Sequence, residues 1–253
     1  MRLRLTLAYD GAAFRGWQSQ TGGGAVQDVL GEVLSKLAGG IPVLPQGSGR
    51  TDAGVHALGQ VAHADVPDGR GDGPFWQRAL NATLPPGLRV LSCARAREDF
   101  HARYAATGKT YDYLLWTGPV LPPHRAGRAW HVWPALDPAI LRRAAVLLSG
   151  RHDFRGFSAN RGTPVRDTRR HLRKITVAVR GPEIRLRFEG DGFLYKMVRM
   201  LVAAMVRVAQ GRATMADLEA RLAGGPSGLP RAVAPPDGLY LRRVAYARRE
   251  QSS

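Results

Sequence analysis

The chain has 253 residues, 44% of them hydrophobic, which is enough to bury a sizeable core in one large domain or two ordinary ones. Lysine and arginine outnumber aspartate and glutamate by 37 to 20, a formal net charge of +17. A surplus of this size points to a polyanionic partner, with RNA, DNA and an anionic membrane surface all open on charge alone and a merely solubilising basic surface as the bland alternative. Cys93 is the only cysteine, so an intramolecular disulfide framework and a multi-cysteine zinc site are both excluded. The opening residues alternate polar and apolar instead of forming a signal-peptide core, and no run of about 20 apolar residues occurs. The expectation is a soluble, cytoplasmic protein.

Leu3, Leu5 and Leu7 fall on one face of a strand, with Arg2, Arg4 and Thr6 on the other and a turn at Asp10-Gly11. Val26, Val29, Leu30, Val33, Leu34 and Leu37 follow helical spacing up to Gly39-Gly40, which predicts an amphipathic helix. A short strand over Ile41 to Leu44, a glycine-rich segment, a strand over Gln60 to Val66, a Pro74-led helix reaching Leu80 and a strand over Leu88 to Cys93 follow. Further on, Tyr111, Tyr113 and Leu115 share a strand face, and Ile140 to Leu148 is an apolar helix. Ile175, Val177 and Val179, a Gly181-Pro182 turn, then Ile184, Leu186 and Phe188 predict a hairpin whose second strand sets Arg185 and Arg187 opposite the core. Phe193, Met197, Met200, Leu201, Ala204, Met205 and Val208 give another helical stripe, and Thr214 with Asp217 form a capping box for a last helix.

Strand, helix, strand, strand, helix, strand in the first half matches a split βαβ, ferredoxin-like unit. The fold class expected is α+β: two mixed antiparallel-sheet and helix halves, ferredoxin-like, flanking a central active-site cleft. The boundaries expected are 1–98 for the half carrying the glycine-rich segment, 99–247 for the second half, and 248–253 for a polar tail.

The most informative stretch runs from Gly47 to Ala57, where three glycines permit tight backbone geometry around Arg50, Thr51 and Asp52. A carboxylate on such a loop can face a cleft, and Arg50 beside it can favour the ionised form or contact a phosphate. Asp52 is therefore a candidate nucleophile or base; the alternative is a turn aspartate bonded to its own backbone.

Gly49-Arg50-Thr51-Asp52-Ala53-Gly54-Val55-His56-Ala57 resembles the catalytic signature of the A-type tRNA pseudouridine synthases. Four further segments agree in order: Tyr9-Asp10-Gly11 with Phe14, Gly16, Trp17 and Gln18; Phe100-His101-Ala102-Arg103 followed by Lys109-Thr110-Tyr111-Asp112-Tyr113; Phe193-Leu194-Tyr195-Lys196-Met197-Val198-Arg199; and Ala234 to Leu241, which resembles the family's closing strand. The resemblance spans Tyr9 to Leu241.

Carried over residue by residue, it implies that Asp52 is the catalytic carboxylate, that Tyr111 stacks on the target uracil and its hydroxyl helps remove the C5 proton, and that Arg199 pairs with Asp52. It also implies that Arg50 approaches the space left by the displaced nucleotide. Without the resemblance, Tyr111 reads as a core sheet tyrosine and Arg199 as a solvated helix cation. The substrate implied is the tRNA anticodon stem-loop at uridines thirty-eight, thirty-nine and forty, and the assembly implied is a homodimer.

The chemistry fits these residue types. Isomerising uridine breaks the bond from ribose C1′ to N1 and forms one from C1′ to C5, with no net oxidation and no group lost, so no redox cofactor, nucleotide or metal is required. A carboxylate near C1′, a stacking platform and exclusion of water are. Whether Asp52 attacks C1′ or removes a ribose proton stays open. Flipping a base from a stacked stem costs a few kcal/mol, which backbone contacts must offset. Arg155, Arg161, Arg166, Arg169, Arg170, Arg173 and Lys174 form the densest cationic stretch and are the expected phosphate contacts. The spacings of His56, His63 and His101 match no standard metal-ligand pattern. Two rival readings remain: a non-catalytic RNA-binding protein, and a glycoside or nucleoside hydrolase, which calls for a second positioned carboxylate.

Overall fold

The computed structural model describes residues 1–134, 136–159, 162 and 166–247. Arg161 of the cationic stretch and the tail 248–253 lie outside the described residues. The chain forms two compact units, Met1–Thr107 with the C-terminal segment from Tyr240, and Gly108–Leu239. Among the described residues no helix is long and apolar enough to cross a membrane.

The first unit begins with β1 (Arg2–Tyr9), α1 (Val26–Leu37), β2 (Gln46–Gly47), β3 (His56–Asp65), α2 (Gly73–Thr83) and β4 (Leu88–Ala96). The strands lie in the order β4-β1-β3-β2, each antiparallel to its neighbour. Alternation in β1 works as the pattern requires: Leu3, Leu5 and Leu7 are fully buried. α1 takes the bounds its stripe sets, burying Leu30 and Leu34. α2 starts where the Asp72 carboxylate accepts the Phe75 N–H at 2.9 Å, with Pro74 in its first turn, and buries Trp76 and Leu80.

The strand expected over Ile41 to Leu44 does not form, and pairing starts at Gln46. Pro42 and Pro45 lack the N–H that a ladder needs, and Ile41 and Leu44 are left exposed. β3 starts at His56, four residues before the expected Gln60, and is buried on both faces, so no alternation marks its beginning. Its sheltering partner is the last strand of the chain, described below.

The second unit contains β5 (Ala106–Trp116), β6 (Trp130–His131), α3 (Pro138–Leu148), β7 (Gly150–Asp153), β8 (Arg169–Arg180), β9 (Glu183–Gly190), α4 (Met197–Ala209) and α5 (Met215–Leu222). Its strand order is β5-β9-β8-β7, with β6 parallel to β5. The tight Gly181-Pro182 turn makes β9 the direct neighbour of β8, and no helix separates them. A hairpin with α3 before it and α4 after it is the element order that a split βαβ unit calls for, with the short β7 added. The basic face expected on β9 is partly neutralised: Arg187 holds the buried Asp112 of β5 through two bonds, Nε to Oδ1 at 2.6 Å and Nη2 to Oδ2 at 2.9 Å. α4 buries much more than a stripe, since Val198, Val202, Ala203 and Val206 are covered along with the expected residues from Met197 onward, while Phe193 precedes the helix and is half-buried. The α5 capping box forms as the sequence requires, with Thr214 and Asp217 each accepting the other's backbone N–H.

β10 (Leu239–Tyr246) lies parallel to β3, with Tyr240 opposite His56 and Leu241 opposite Ala57. Gly59 allows this approach, because a Cβ there would lie 2.6 Å from the Arg242 carbonyl oxygen. Strand directions within each unit are thus mixed, one parallel pairing standing beside antiparallel ones. The first unit accordingly runs to Thr107, past the expected end at residue 98, and takes back a strand assigned to the second half.

One buried histidine ties β3 to the segment that follows β4. His63 is 3% exposed, and its Nδ1 accepts the Ala102 N–H at 3.2 Å. Burial, then repulsion from His101 and Arg2, hold its pKa below the ordinary value, against smaller opposing contributions from Asp65 and the Gln46 backbone. The folded state thus binds fewer protons than the unfolded one, so stability is complete above the unfolded value of about 6.5 and declines as pH falls below it. Urea unfolding at pH 7.5 and 5.5 is expected to show a loss of stability in the wild type that is smaller in His63→Gln.

Candidate active site

The glycine-rich loop lies between β2 and β3, and its shape follows from what surrounds it. Ser48 continues the ladder, its N–H donating to the Val61 carbonyl at 2.7 Å. Beyond it the chain leaves the sheet. The Gln60 side chain, fully buried on β3, then collects the loop: its amide oxygen accepts the Ser48 hydroxyl at 2.7 Å, and its amide nitrogen donates to the Gly49 carbonyl at 2.9 Å. The same nitrogen donates to the Tyr9 hydroxyl at 3.4 Å, and Tyr9 shares a 2.9 Å hydrogen bond with the buried Thr51 hydroxyl. Burial pushes the Tyr9 phenol up to about 12, against the lowering effect of its Thr51 and Gln60 bonds, so it stays neutral and serves as a fixed hydroxyl.

The backbone around Asp52 is equally constrained. The Val55 N–H donates to the Asp52 carbonyl at 3.1 Å, closing a turn whose third residue, Gly54, has φ +80°. Trp17 N–H donates to the Thr51 carbonyl at 3.0 Å, while Gly16 and Trp17 carbonyls accept from Val26 and Gln27 at the start of α1, each at 3.0 Å. Gly16, with φ +83°, passes so near the loop that a Cβ would sit 2.8 Å from the Thr51 oxygen; one on Gly11 would sit 2.3 Å from the Val55 oxygen. His56 closes the loop, its Nδ1 accepting the Gly11 N–H at 3.1 Å and its ring stacking on Tyr240 at 4.5 Å. On this frame Asp52 is half-buried and Arg50 exposed.

The other residues singled out in the sequence belong to the second unit. Tyr111 lies on β5 opposite Phe188, half-buried, with the Phe193 ring edge-on at 5.0 Å and 78°. Tyr113, two residues on, is the core tyrosine of that face: it is fully buried, and its hydroxyl donates to the Pro235 carbonyl at 2.7 Å. Arg199 stands one turn into α4 and is not on a solvated face. It is half-buried on an almost wholly apolar helix, its Nε donating to the Ala234 carbonyl at 2.7 Å while the Ala234 N–H returns a bond to the Arg199 carbonyl at 3.1 Å. Lys196, just before α4, holds φ +57°, a conformation that costs a non-glycine residue about 1 kcal/mol or more.

Of the cationic stretch, Arg166 is exposed, and Arg169 and Arg170 line a groove of about 510 Å³ with Arg151, His152, Asp153, Asp167, His171 and Asp191. The groove's carboxylates are engaged by the protein: Asp153 by Arg155 and Thr168, Asp167 by the Arg169 N–H, Asp191 by the His171 N–H. Arg173, though exposed, donates to the Gly190 carbonyl at 3.0 Å, and Lys174 pairs in register with Glu189. Among the described residues no group of three or more histidine, cysteine or acidic side chains is placed to hold a metal ion.

The family model described as tRNA pseudouridine synthase matches residues 6–105 and 144–247. A protein of Akkermansia muciniphila called tRNA pseudouridine synthase A is 46% identical over 97% of this chain and 95% of its own length. One of the same description from Solidesulfovibrio magneticus is 47% identical over 97% of this chain and 91% of its own.

The glycine cradle generates a test. Gly16→Ala is expected to lower the unfolding free energy by about 1–3 kcal/mol, through a strained φ and a forced shift of the Thr51–Ala53 backbone. Its turnover should fall at least about tenfold even at temperatures where circular dichroism shows a fully folded protein.

Proposed function

The chain belongs to the tRNA pseudouridine synthase family, and on that premise we propose that it isomerises uridine to pseudouridine in tRNA with Asp52 as the catalytic carboxylate. The observation that carries this reading is the loop itself. Gln60 and Trp17 bond its backbone, Tyr9 holds the Thr51 hydroxyl and His56 ties its end to Gly11, and it carries a half-buried carboxylate on a turn whose positive φ favours glycine. A reaction that only moves a bond from C1′–N1 to C1′–C5 needs groups held in place more than it needs reagents.

In this reading Asp52 acts at the ribose of an extruded nucleoside, either on C1′ or by taking a ribose proton. Once the C1′–N1 electron pair has left with the uracil, the base turns, C5 bonds to C1′, and the C5 proton is lost while N1 gains one, so atoms and electrons balance. Tyr111 supplies a ring for the detached uracil, backed by Phe193. Arg199 supplies a cation that pairs with and orients the carboxylate, and Arg50, exposed on the same loop as Asp52, approaches the displaced nucleotide. The substrate is the anticodon stem-loop, the working form is a homodimer, and Arg166, Arg169 and Arg170 contact phosphates. Arg173 and Lys174 are weaker choices for that contact, since one is bonded to Gly190 and the other lies across from Glu189. The strand order β4-β1-β3-β2 supports reading the first unit as a ferredoxin-like half.

Incubation with uridine-containing tRNA tests the assignment. Isomerisation without free uracil is expected; release of uracil would indicate a hydrolase, and unchanged RNA a binder. Asp52→Asn should fold normally by circular dichroism and lose at least about a thousandfold in turnover. Turnover in that variant equal to the wild type would remove Asp52 from the reaction.

A further inference from the structure

The turn from His101 to Ala105 displays a ring that the reaction above does not employ. Tyr104 is 77% exposed, yet the backbone that carries it is tied at every step. Ala105 N–H donates to the His101 carbonyl at 3.0 Å, and the N–H groups of Arg103 and Tyr104 reach His101 Nδ1 at 3.2 and 3.4 Å. Ala102 is held on both sides, its N–H by His63 Nδ1 and its carbonyl by the Tyr246 hydroxyl at 2.7 Å. Single exposed aromatic rings are common on protein surfaces and by themselves mean little. Tyr104 differs in what stands behind it. Its ring lies 4.2 Å from that of His101, which lies 4.6 Å from the buried His63, so three rings form a column anchored in the sheet.

One cation lies against this column, and a second lies over rings that adjoin it. The Arg103 guanidinium is 5.8 Å from the Tyr104 ring, and Arg4 lies 4.5 Å over Tyr246 and 5.5 Å over Phe100. The nearby Asp99 is paired with Arg97 at 3.1 Å. A flat, rigidly presented π-face with a guanidinium beside it suits a ligand that is both anionic and flat-faced. An unpaired nucleotide meets both conditions: its base stacks and its phosphate pairs, and aromatic stacking of this kind tolerates any base.

We propose that Tyr104 is a stacking platform for an unpaired base of the RNA substrate, a base other than the reacting uridine, with Arg103 contacting the adjoining phosphate. The proposal rests on the reading that this chain acts on tRNA. The occupant is nucleic acid and not a protein surface, because the column is basic at its rim and offers one ring in place of an apolar groove.

The test is the affinity of the intact protein for unmodified tRNA transcript, measured by filter binding at fixed salt, with turnover followed in parallel. Tyr104→Ala should weaken binding about tenfold, raise KM by a similar factor and leave kcat within about twofold, while Tyr104→Phe, which keeps the ring, should match the wild type. Tyr104→Leu, apolar but without a π-face, should behave as alanine does. Arg103→Gln should weaken binding and reduce the salt dependence by about one phosphate contact.

Unchanged affinity in Tyr104→Ala overturns the platform, as does a loss shared by Tyr104→Phe, which would assign the contact to the hydroxyl. If the wild type binds tRNA but does not isomerise it, the catalytic reading fails while the affinities still decide the platform. Tyr104 packs no core, so the variants should melt with the wild type, which the same samples can show.

Discussion

The primary amide of Gln60 is the interaction on which the rest of the first unit's functional surface depends. It is fully buried on β3, and both ends are in use: the oxygen accepts from the Ser48 hydroxyl and the Val61 N–H, and the nitrogen donates to the Gly49 carbonyl and the Tyr9 hydroxyl. A buried amide with all its partners is rigid, because moving any one of them strands a polar group at about 1–3 kcal/mol. Tyr9 extends that grip to Thr51, and the Thr51 carbonyl passes it to Trp17 and so to the start of α1. The carboxylate of Asp52 is one residue along from the last fixed point. An enzyme whose reaction consumes no reagent derives its rate from such placement, and the polar lock beneath the loop is where this chain invests it.

Charge is distributed unevenly in effect, though not in number. Arg2 is held by Asp65, Arg125 by Glu183 and Arg187 by Asp112, so a good part of the arginine surplus serves the fold. In the groove lined by Arg151, Arg169 and Arg170 the balance is reversed, since backbone N–H groups, Thr168 and Arg155 satisfy the acidic side chains, and Arg170 spends its Nη1 on the Asp167 and Arg169 carbonyls. A net charge of +17 draws a polyanion toward every face. Where it settles is decided by cations without a carboxylate partner.

Elements carried by a single local rule were legible in the sequence. β1 and the β8–β9 hairpin follow alternation, α1 and α3 follow helical spacing, and α5 follows its capping box. Illegible were features set by distant residues. β3 begins at His56 because β10, arriving from the far end of the chain, covers it, and no local pattern announces a strand buried on both faces. The apolar run from Ile41 to Leu44 has the pattern of a strand, but Pro42 and Pro45 withhold the N–H groups that a ladder needs. Of the proposed site, loop chemistry marks Asp52 and its glycines only as a candidate beside a turn aspartate, and the family resemblance alone points to Tyr111 and Arg199. The supports were not legible: Tyr9 and Trp17 stand in a segment of the resemblance that assigns them no role, Gln60 reads as a strand residue, and only their convergence on one loop gives them one. The signal that could have found them is a buried glutamine, a residue type rarely covered without a fixed set of partners.

Arg50 and Arg199 show how one side chain type can serve two purposes. Arg199 is set in an apolar helix, its Nε bonded to a carbonyl that its own backbone holds in return, and the segment bearing that carbonyl is pinned again by the Tyr113 hydroxyl at Pro235. Little conformational entropy remains to be lost when such a guanidinium meets a charge, so it suits a constant electrostatic duty. Arg50 is exposed on the loop and retains rotamer freedom worth up to about 2 kcal/mol. Ordering it is a cost that the substrate must offset on arrival, which suits a group that follows a displaced nucleotide. If that division holds, substituting lysine at the two positions should differ in kind. At Arg199 the loss should fall on kcat, because a lysine cannot reproduce the fixed Nε bond while presenting a second donor, whereas at Arg50 it should fall mainly on KM, because a flexible cation replaces a flexible cation.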